Sequence, residues 1–307
     1  MSNKKRKRVI KILAIVVTYN GIDWIDYCIG SLISSTPTPD IICIDNNSTD
    51  GTQQFIAEHY PNVELVKSEK NLGFGKGNNL GLRQCIDEGY DYAFLLNQDA
   101  RVEPDTIQKL VATHKQNTQY GVLSPIHRAY DNSILDENFT FMLRSSNTPK
   151  YISHAMLGIE LKDIYETKFV NAALWLISNE CLLKVGFFDP IFTHYCEDDD
   201  FLDRVQNSGF KVGIVPSALA NHARNQKDGL PTQEDTKNLR SVTNRDYVNL
   251  LLRFKRYQAR QRSKILYFLR EMLSEIFLHA IMLDPQNLKK TVLIYYRLFK
   301  AVRTTKL

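Results

Sequence analysis

The stretch "FLLNQDARVEPDTI" (Phe94–Ile107) runs an apolar segment straight into Asn97-Gln98-Asp99, then into a segment that Pro104 opens as a helix. A carboxylate at the carboxyl end of a buried strand is costly to desolvate unless it has a partner. A metal ion is one such partner. The plainer alternative makes Asp99 a solvated turn residue, or one that accepts backbone hydrogen bonds in the next turn. The choice depends on what surrounds the strand.

Upstream, strand and helix signals alternate. "ILAIVVTY" is β-branched and continuously apolar, as a parallel strand covered on both faces should be. "DWIDYCIGSLISS" has helical spacing and is stopped by Pro37 and Pro39. "DIICIDNNS" is a second strand, "STDGTQQFIAEHY" a polar-capped helix, "VELVKS" a third strand and "YAFLLNQD" a fourth. "GFGKGNNLGLRQCIDEG" reads as a loop that becomes a helix. Downstream, "FVNAALWLIS" is an apolar strand, and 128–150 reads as a variable loop or hairpin. The region 185–222 gives a loop, an acidic helix start and a last strand. The order predicts an α/β fold with a mainly parallel sheet, and such sheets bind ligands at the carboxyl ends of their strands. Thr18, Tyr19 and Asn20, then Asp45 and Asn46, then Asn97 to Asp99 gather there.

The totals set limits. Of 307 residues, 43% are hydrophobic and 24% charged, ordinary for a globular protein. Five scattered cysteines, none in a CxxC pair, argue against a disulfide framework or zinc cluster and for a reducing compartment. No apolar run reaches the roughly 18 residues of a membrane span. The charge is unevenly placed. Residues 1–11 carry six Lys/Arg and no acid, and 237–307 carry 16 Lys/Arg against four acids; with a net +5 for the whole chain, 12–236 is left at −13. An acidic body with basic ends argues against nucleic acid as a partner.

Three further clusters bear on chemistry. Asp45 ends the second strand, where a carboxylate can accept hydrogen bonds from a ribose or a nucleobase; helix capping suits Ser48 or Asp50 better. "NLGFGKGNNLG" has phosphate-loop glycines but matches neither the Walker nor the Rossmann pattern, and a structural turn is as good a reading. "CEDDDFLDR" sets Glu197 to Asp200 at a helix start. A helix dipole favours acids there, but four exceed what capping needs, and mutual repulsion would raise a pKa toward that of a general base. A lone His222 after the last strand is a surface or core residue unless it faces Asp99.

Together and in order, "AIVVTYNG", "IICIDNNSTDGT", "NLGFGKGNNLGL", "FLLNQDA" and "VGFFDPIFTHYCEDDDFLDRVQNSGFKVGIVPSALANH" resemble family 2 glycosyltransferases. The likeness is closest to the bacterial branch of rhamnosyltransferases and O-antigen or capsule enzymes. It implies a GT-A fold, a nucleotide-diphosphate sugar donor, a divalent Mn²⁺ or Mg²⁺ ion and inversion at the anomeric carbon. By position it implies that Thr18, Tyr19, Asn20 and Asp45 hold the nucleoside, and that Asn71, Lys76, Asn97 and Asp99 contact the donor. It further makes Asp99 and His222 the metal contacts and Asp198, beside Glu197, the catalytic base. Two departures stand out: Asn97 replaces the first Asp of an Asp-x-Asp motif, and Asn171 stands where a small residue is usual.

The expected organisation is a basic tail at 1–11, a GT-A catalytic domain at 12–232 and a basic helical appendage at 233–307. The acceptor implied is a glycan, in particular a lipid-linked one, and the location cytoplasmic, at the inner face of the cell membrane. The basic helices suit two readings: attachment to an anionic membrane, or packing on the catalytic domain or on a second subunit in a homo-oligomer. Two rival functions remain. A sugar nucleotidyltransferase would carry a Gly-rich basic loop after the first strand, which "VVTYNGID" lacks. A non-catalytic carbohydrate-binding relative would have lost Asp99 or the Glu197-Asp198 pair.

Overall fold

The computed structural model describes residues 9–144, 146–192, 195–223, 239–257 and 261–305. The chain divides into two compact units, Met1–Thr193 with Glu197–Asp228, and His194–Cys196 with Gly229–Leu307. The boundary expected at 232/233 and the basic tail as far as residue 8 lie outside the described residues.

The first unit begins with β1 (Ile12–Thr18), α1 (Ile25–Ile33), β2 (Asp40–Asp45), α2 (Thr52–His59), β3 (Glu64–Lys67) and α3 (Phe74–Asp87). Next come β4 (Tyr92–Asn97), β5 (Ala100–Val102), α4 (Thr106–Gln116) and β6 (Tyr120–Arg128). Then follow two short helices, α5 (Glu137–Met142) and α6 (Tyr151–Met156), before β7 (Tyr165–Glu166), β8 (Leu174–Ser178) and α7 (Asn179–Val185). The unit closes with α8 (Glu197–Asn207) and β9 (Lys211–His222). Among the described residues the strands form one sheet in the order β3-β2-β1-β4-β8-β6-β9-β5, with β7 paired to β9.

The sheet has two halves of different character. β1 lies between β2 and β4, parallel to both, and Ile12 to Val16 are buried on both faces, which is why this strand is apolar without alternation. Burial of α1 through Ile25, Cys28, Ile29 and Leu32 follows the i, i+3, i+4, i+7 spacing of its sequence. Beyond β4 the sheet is mixed: β8 runs antiparallel to β4 and β6, while β6 and β9 are parallel. Apolar clusters cover both faces, one holding Phe94 and Leu174, the other Trp175, Phe188 and Phe201.

Two local features fix the carboxyl ends of the strands. In β9 the pairing with β6 jumps from Pro125↔Val215 to Ile126↔Leu219. Pro216, with no N–H to give the ladder, sits in that irregularity. Past it, β9 runs on antiparallel to β5, with Ala100 opposite His222. The second feature lies in the glycine-rich stretch, read as a loop that becomes a helix: α3 already begins at Phe74. Gly75, Gly77 and Gly81 lie inside α3 and are buried. A Cβ at Gly81 would sit 2.7 Å from the Ile15 side chain, and one at Gly77 2.8 Å from Val17. Gly77 and Gly81 let the helix backbone close on β1.

The second unit comprises α9 (Leu239–Arg256), α10 (Gln261–Ile281) and α11 (Pro285–Thr305), with α11 packed on both others. Its core holds Leu251, Phe254, Phe268, Tyr295 and Leu298. The expected break at Asp284-Pro285 is present: Pro285 is the first residue of α11, where a missing N–H is harmless, and Asp284 accepts from the Asn287 N–H at 3.1 Å. All five cysteines are buried and none is in a disulfide.

Candidate active site

The turn Gln98-Asp99 joins β4 to β5, and the pairing of β5 with β9 delivers His222 to it. His222 Nε2 lies 3.3 Å from Asp99 Oδ1 and 3.4 Å from Asn97 Nδ2. The Asp99 side chain is 24% exposed and that of His222 only 3%. The ring is backed from the other side: Asp136 Oδ2 is 3.7 Å from His222 Nδ1, and Asp136 Oδ1 accepts the Phe139 N–H at 2.7 Å as the N-cap of α5. His127, stacked on Phe139 and hydrogen-bonded to Ser124 at 2.9 Å, stands edge-on behind His222.

The donor set fits a divalent cation only if other ligands join it. Two ligand atoms at right angles around an ion with bonds of about 2.1 Å lie about 3 Å apart, close to the Asp99–His222 separation. Among the described residues there is no group of three or more His, Cys, Asp or Glu able to hold an ion. A site with one carboxylate and one imidazole leaves room for phosphate oxygens and water, the usual company of Mg²⁺-type ions. Asp136 on the far nitrogen is placed to orient the ring.

The ends of β1, β2 and β4 are tied together. Gln98 Oε1 accepts from Thr18 Oγ1 at 2.6 Å and from the Tyr19 N–H at 2.8 Å. The Asn20 N–H donates to Ser48 Oγ at 2.9 Å, and Asn20 Oδ1 accepts from the Thr49 N–H at 2.9 Å. The Thr18 side chain is therefore buried and engaged within the protein; Asn20 is engaged with the β2–α2 turn but exposed, as Tyr19 is. Asp45 Oδ1 accepts from the Ser48 N–H at 2.9 Å and from Gln53 Nε2 at 2.5 Å; its Oδ2 is buried with no hydrogen-bond partner, an acceptor left over. Asn46 holds the start of the next loop through the Leu72 N–H at 3.3 Å and the Gly73 carbonyl at 3.4 Å. In that loop Asn71 is exposed and accepts from the Gly73 N–H at 2.8 Å; Lys76 is half-buried in the first turn of α3.

The four carboxylates of α8 separate by environment. Asp200 is buried and ion-paired to Arg204 at 2.9 Å, and the same guanidinium donates to the Val185 and Phe187 carbonyls. It is structural. Asp198 is half-buried, and its pKa is pushed up to about 6, first by burial and then by the neighbouring Asp199; the N–H groups of Asp199 and Ala172 pull the other way. Glu197 is buried, its Oε2 has no hydrogen-bond partner, and burial followed by the charges of Asp198 and Asp199 raises its pKa to about 7. Burial, more than the mutual repulsion expected from sequence, lifts both.

The segment before β8 bridges the two carboxylate groups. The Ala172 N–H reaches Asp198, and the Ala173 carbonyl accepts from the Asn97 N–H at 2.9 Å. Asn171, next to them, has neither amide atom hydrogen-bonded. A cavity of about 520 Å³ lined by Asp26, Tyr27, Ser31, Arg101 and Asn132 includes none of these groups. Sequence reasoning missed Asp136, His127 and the tying role of Gln98. An Asp directly before the helical "ENFTFM" was the available signal for the first of them.

Known proteins share this architecture. A mannosyltransferase from Pyrobaculum calidifontis, solved with GDP-Man and Mn²⁺, aligns with 97% of this chain and 76% of its own at a TM-score of 0.56 and 19% identity. GalNAc-T7, solved with UDP, GalNAc and Mn²⁺, aligns with 71% of this chain at a TM-score of 0.54 and 14% identity; this chain spans only 44% of it. At these identities the likeness shows the GT-A fold. In sequence, the N-acetylglucosaminyl-diphospho-decaprenol L-rhamnosyltransferase of Mycobacterium tuberculosis is 29% identical over 70% of this chain and 76% of its own length. Residues 13–171, more than half of the chain, match the model of the glycosyl transferase family 2 domain. With that match laid over the strand ends just described, the chain belongs to family 2 of the glycosyltransferases.

Proposed function

We propose that the protein moves a sugar, with inversion, from a nucleotide-diphosphate donor (dTDP-rhamnose or a UDP-hexose) to a hydroxyl of a lipid-linked glycan in the synthesis of a cell-surface polysaccharide. The supporting observation is the separation of two acidic groups along one edge of the sheet: Asp99 with His222 at 3.3 Å, and Asp198 with its raised pKa on the far side of the Ala172-Ala173 segment. The first suits a diphosphate, the second a proton in transit. A lipid-linked acceptor and a rhamnosyl donor are what the name of the mycobacterial relative describes, and both are carried over here as part of the proposal.

In this mechanism the acceptor oxygen attacks the anomeric carbon as the bond to the diphosphate oxygen breaks. The hydroxyl proton passes to Asp198, a base whose pKa near 6 leaves it ionised at neutral pH. Asp99 and His222 would hold a Mn²⁺ or Mg²⁺ ion, which would supply charge stabilisation to the departing diphosphate. Asn97 lies beside that pair, with Asp136 steadying the His222 ring. Asp45 Oδ2 offers the nucleoside an acceptor, Tyr19 an exposed ring and Lys76 a cation at the start of α3. Acceptor and donor together place the reaction on the cytoplasmic face of a membrane, and no helix of the described residues is long and apolar enough to cross one.

The test is release of nucleoside diphosphate from a panel of dTDP-rhamnose, UDP-galactose and UDP-glucose with lipid-linked acceptors, followed by mass analysis of the product. One donor should give acceptor-dependent release and a product heavier by one sugar. Pyrophosphate formation from a sugar phosphate and a nucleoside triphosphate would instead make the protein a nucleotidyltransferase.

A further inference from the structure

Helix α10 is apolar on two opposite sides. Phe268 is buried in the unit, while Leu266, Leu273, Phe277 and Ile281 line the other side, 61–68% exposed. The stripe continues into Met282 and Leu283, 65% and 87% exposed, where the chain turns toward α11. On α11, Leu293 and Tyr296 are exposed along a line that also carries Lys289, Lys300 and Arg303. A helix apolar all round is one that is covered on both sides.

Charge decides what covers it. The segment 237–307 holds 16 Lys/Arg and four acids, and each of the four acids is engaged within the unit. Asp246 is ion-paired to Lys290 and Glu271 to Arg253. Glu275 lines a cavity of about 450 Å³ between the three helices, and Asp284 caps α11. Among the described residues the exposed stripe has cations beside it, Arg270 among them, and the acid that follows it in the chain, Asp284, is engaged in capping α11. A symmetric pair of such faces would set the cations of the described residues mostly against cations, which disfavours a second copy of this chain. We infer that the exposed face of α10 and α11 docks on an anionic lipid bilayer, with the Leu266–Ile281 stripe below the headgroups and Lys289, Lys300 and Arg303 at the phosphate level.

Docking needs no substrate, so it is read on the full chain without the transfer reaction. Flotation with vesicles of phosphatidylcholine alone, or with added phosphatidylglycerol, compares the wild type with Phe277→Ser/Ile281→Ser and with Lys289→Gln/Lys300→Gln/Arg303→Gln. The wild type is expected to float with the anionic vesicles at low salt and much less at high salt. Removing three cations should weaken binding on the order of a hundredfold, and the serine pair should abolish it while the melting temperature stays unchanged. A Phe277→Trp variant gives a second reading that does not depend on a loss of function: brominated phosphatidylglycerol should quench residue 277. Equal binding to neutral and anionic vesicles, no binding at all, or a wild-type dimer that the serine pair turns into a monomer would overturn the inference.

Discussion

At the scale of the residue, Asp198 and Glu197 share one helix start and one cause of perturbation, yet they make separable predictions. Asp198→Asn should lower turnover by roughly 10²–10⁴-fold, the range for a positioned general base, while donor affinity is retained. Because the base works deprotonated and its pKa lies near 6, wild-type kcat/KM should fall about tenfold per unit as pH drops below that value; a flat profile between pH 5 and 7 would remove Asp198 from the role. Glu197 bears on stability. Its folded pKa near 7 exceeds the ordinary carboxyl value, so the folded state holds a proton that the unfolded state has released, and stability declines as pH rises through that window. From pH 5 to 8, denaturant titrations should show Glu197→Gln gaining on the wild type by about 2 kcal/mol. A constant difference between the two proteins would mean that Glu197 is not held protonated by the fold.

At the scale of the element, the close approach of α3 to β1 depends on having no side chain at Gly77 and Gly81. Gly81→Ala drives a methyl group into Ile15, a branched side chain fixed in the middle of the sheet, and should cost about 1–3 kcal/mol as overpacking. An unchanged urea midpoint would show that the helix can move outward freely. The same element shows what a sequence conveys and what it conceals. The apolar, β-branched runs at Ile12–Thr18 and Asp40–Asp45 declare their strands because burial on both faces leaves few other compositions. The glycine stretch conceals where its loop ends and its helix begins, because one composition serves a turn and a tightly packed helix, and the Ile15 and Val17 side chains opposite explain the glycines inside α3.

At the scale of the whole molecule, the candidate site depends on pairings across long sequence separations. Asp99 and His222 were both legible as polar residues at strand ends, but their contact needs the jump at Pro216 and the β5–β9 pairing, neither of which is encoded locally. Asp136 was concealed for the same reason: it sits in a polar segment read as a variable loop, and its importance comes from a histidine 86 positions later. Removal of metal by EDTA should stop transfer, with Mn²⁺ or Mg²⁺ restoring it, if Asp99 and His222 act as proposed; full activity after chelation and dialysis would exclude the ion. The most direct test of the division of labour between Asp99 and Asp198 is calorimetric titration of a nucleoside diphosphate with Mn²⁺ into the wild type, Asp99→Ala and Asp198→Asn, with turnover measured on the same preparations. The account predicts that Asp198→Asn binds within about threefold of the wild type yet keeps under about a hundredth of its turnover, and that Asp99→Ala loses at least about tenfold in Mn²⁺-dependent affinity. Undiminished binding by Asp99→Ala, or turnover by Asp198→Asn above about a tenth of the wild type, would contradict it.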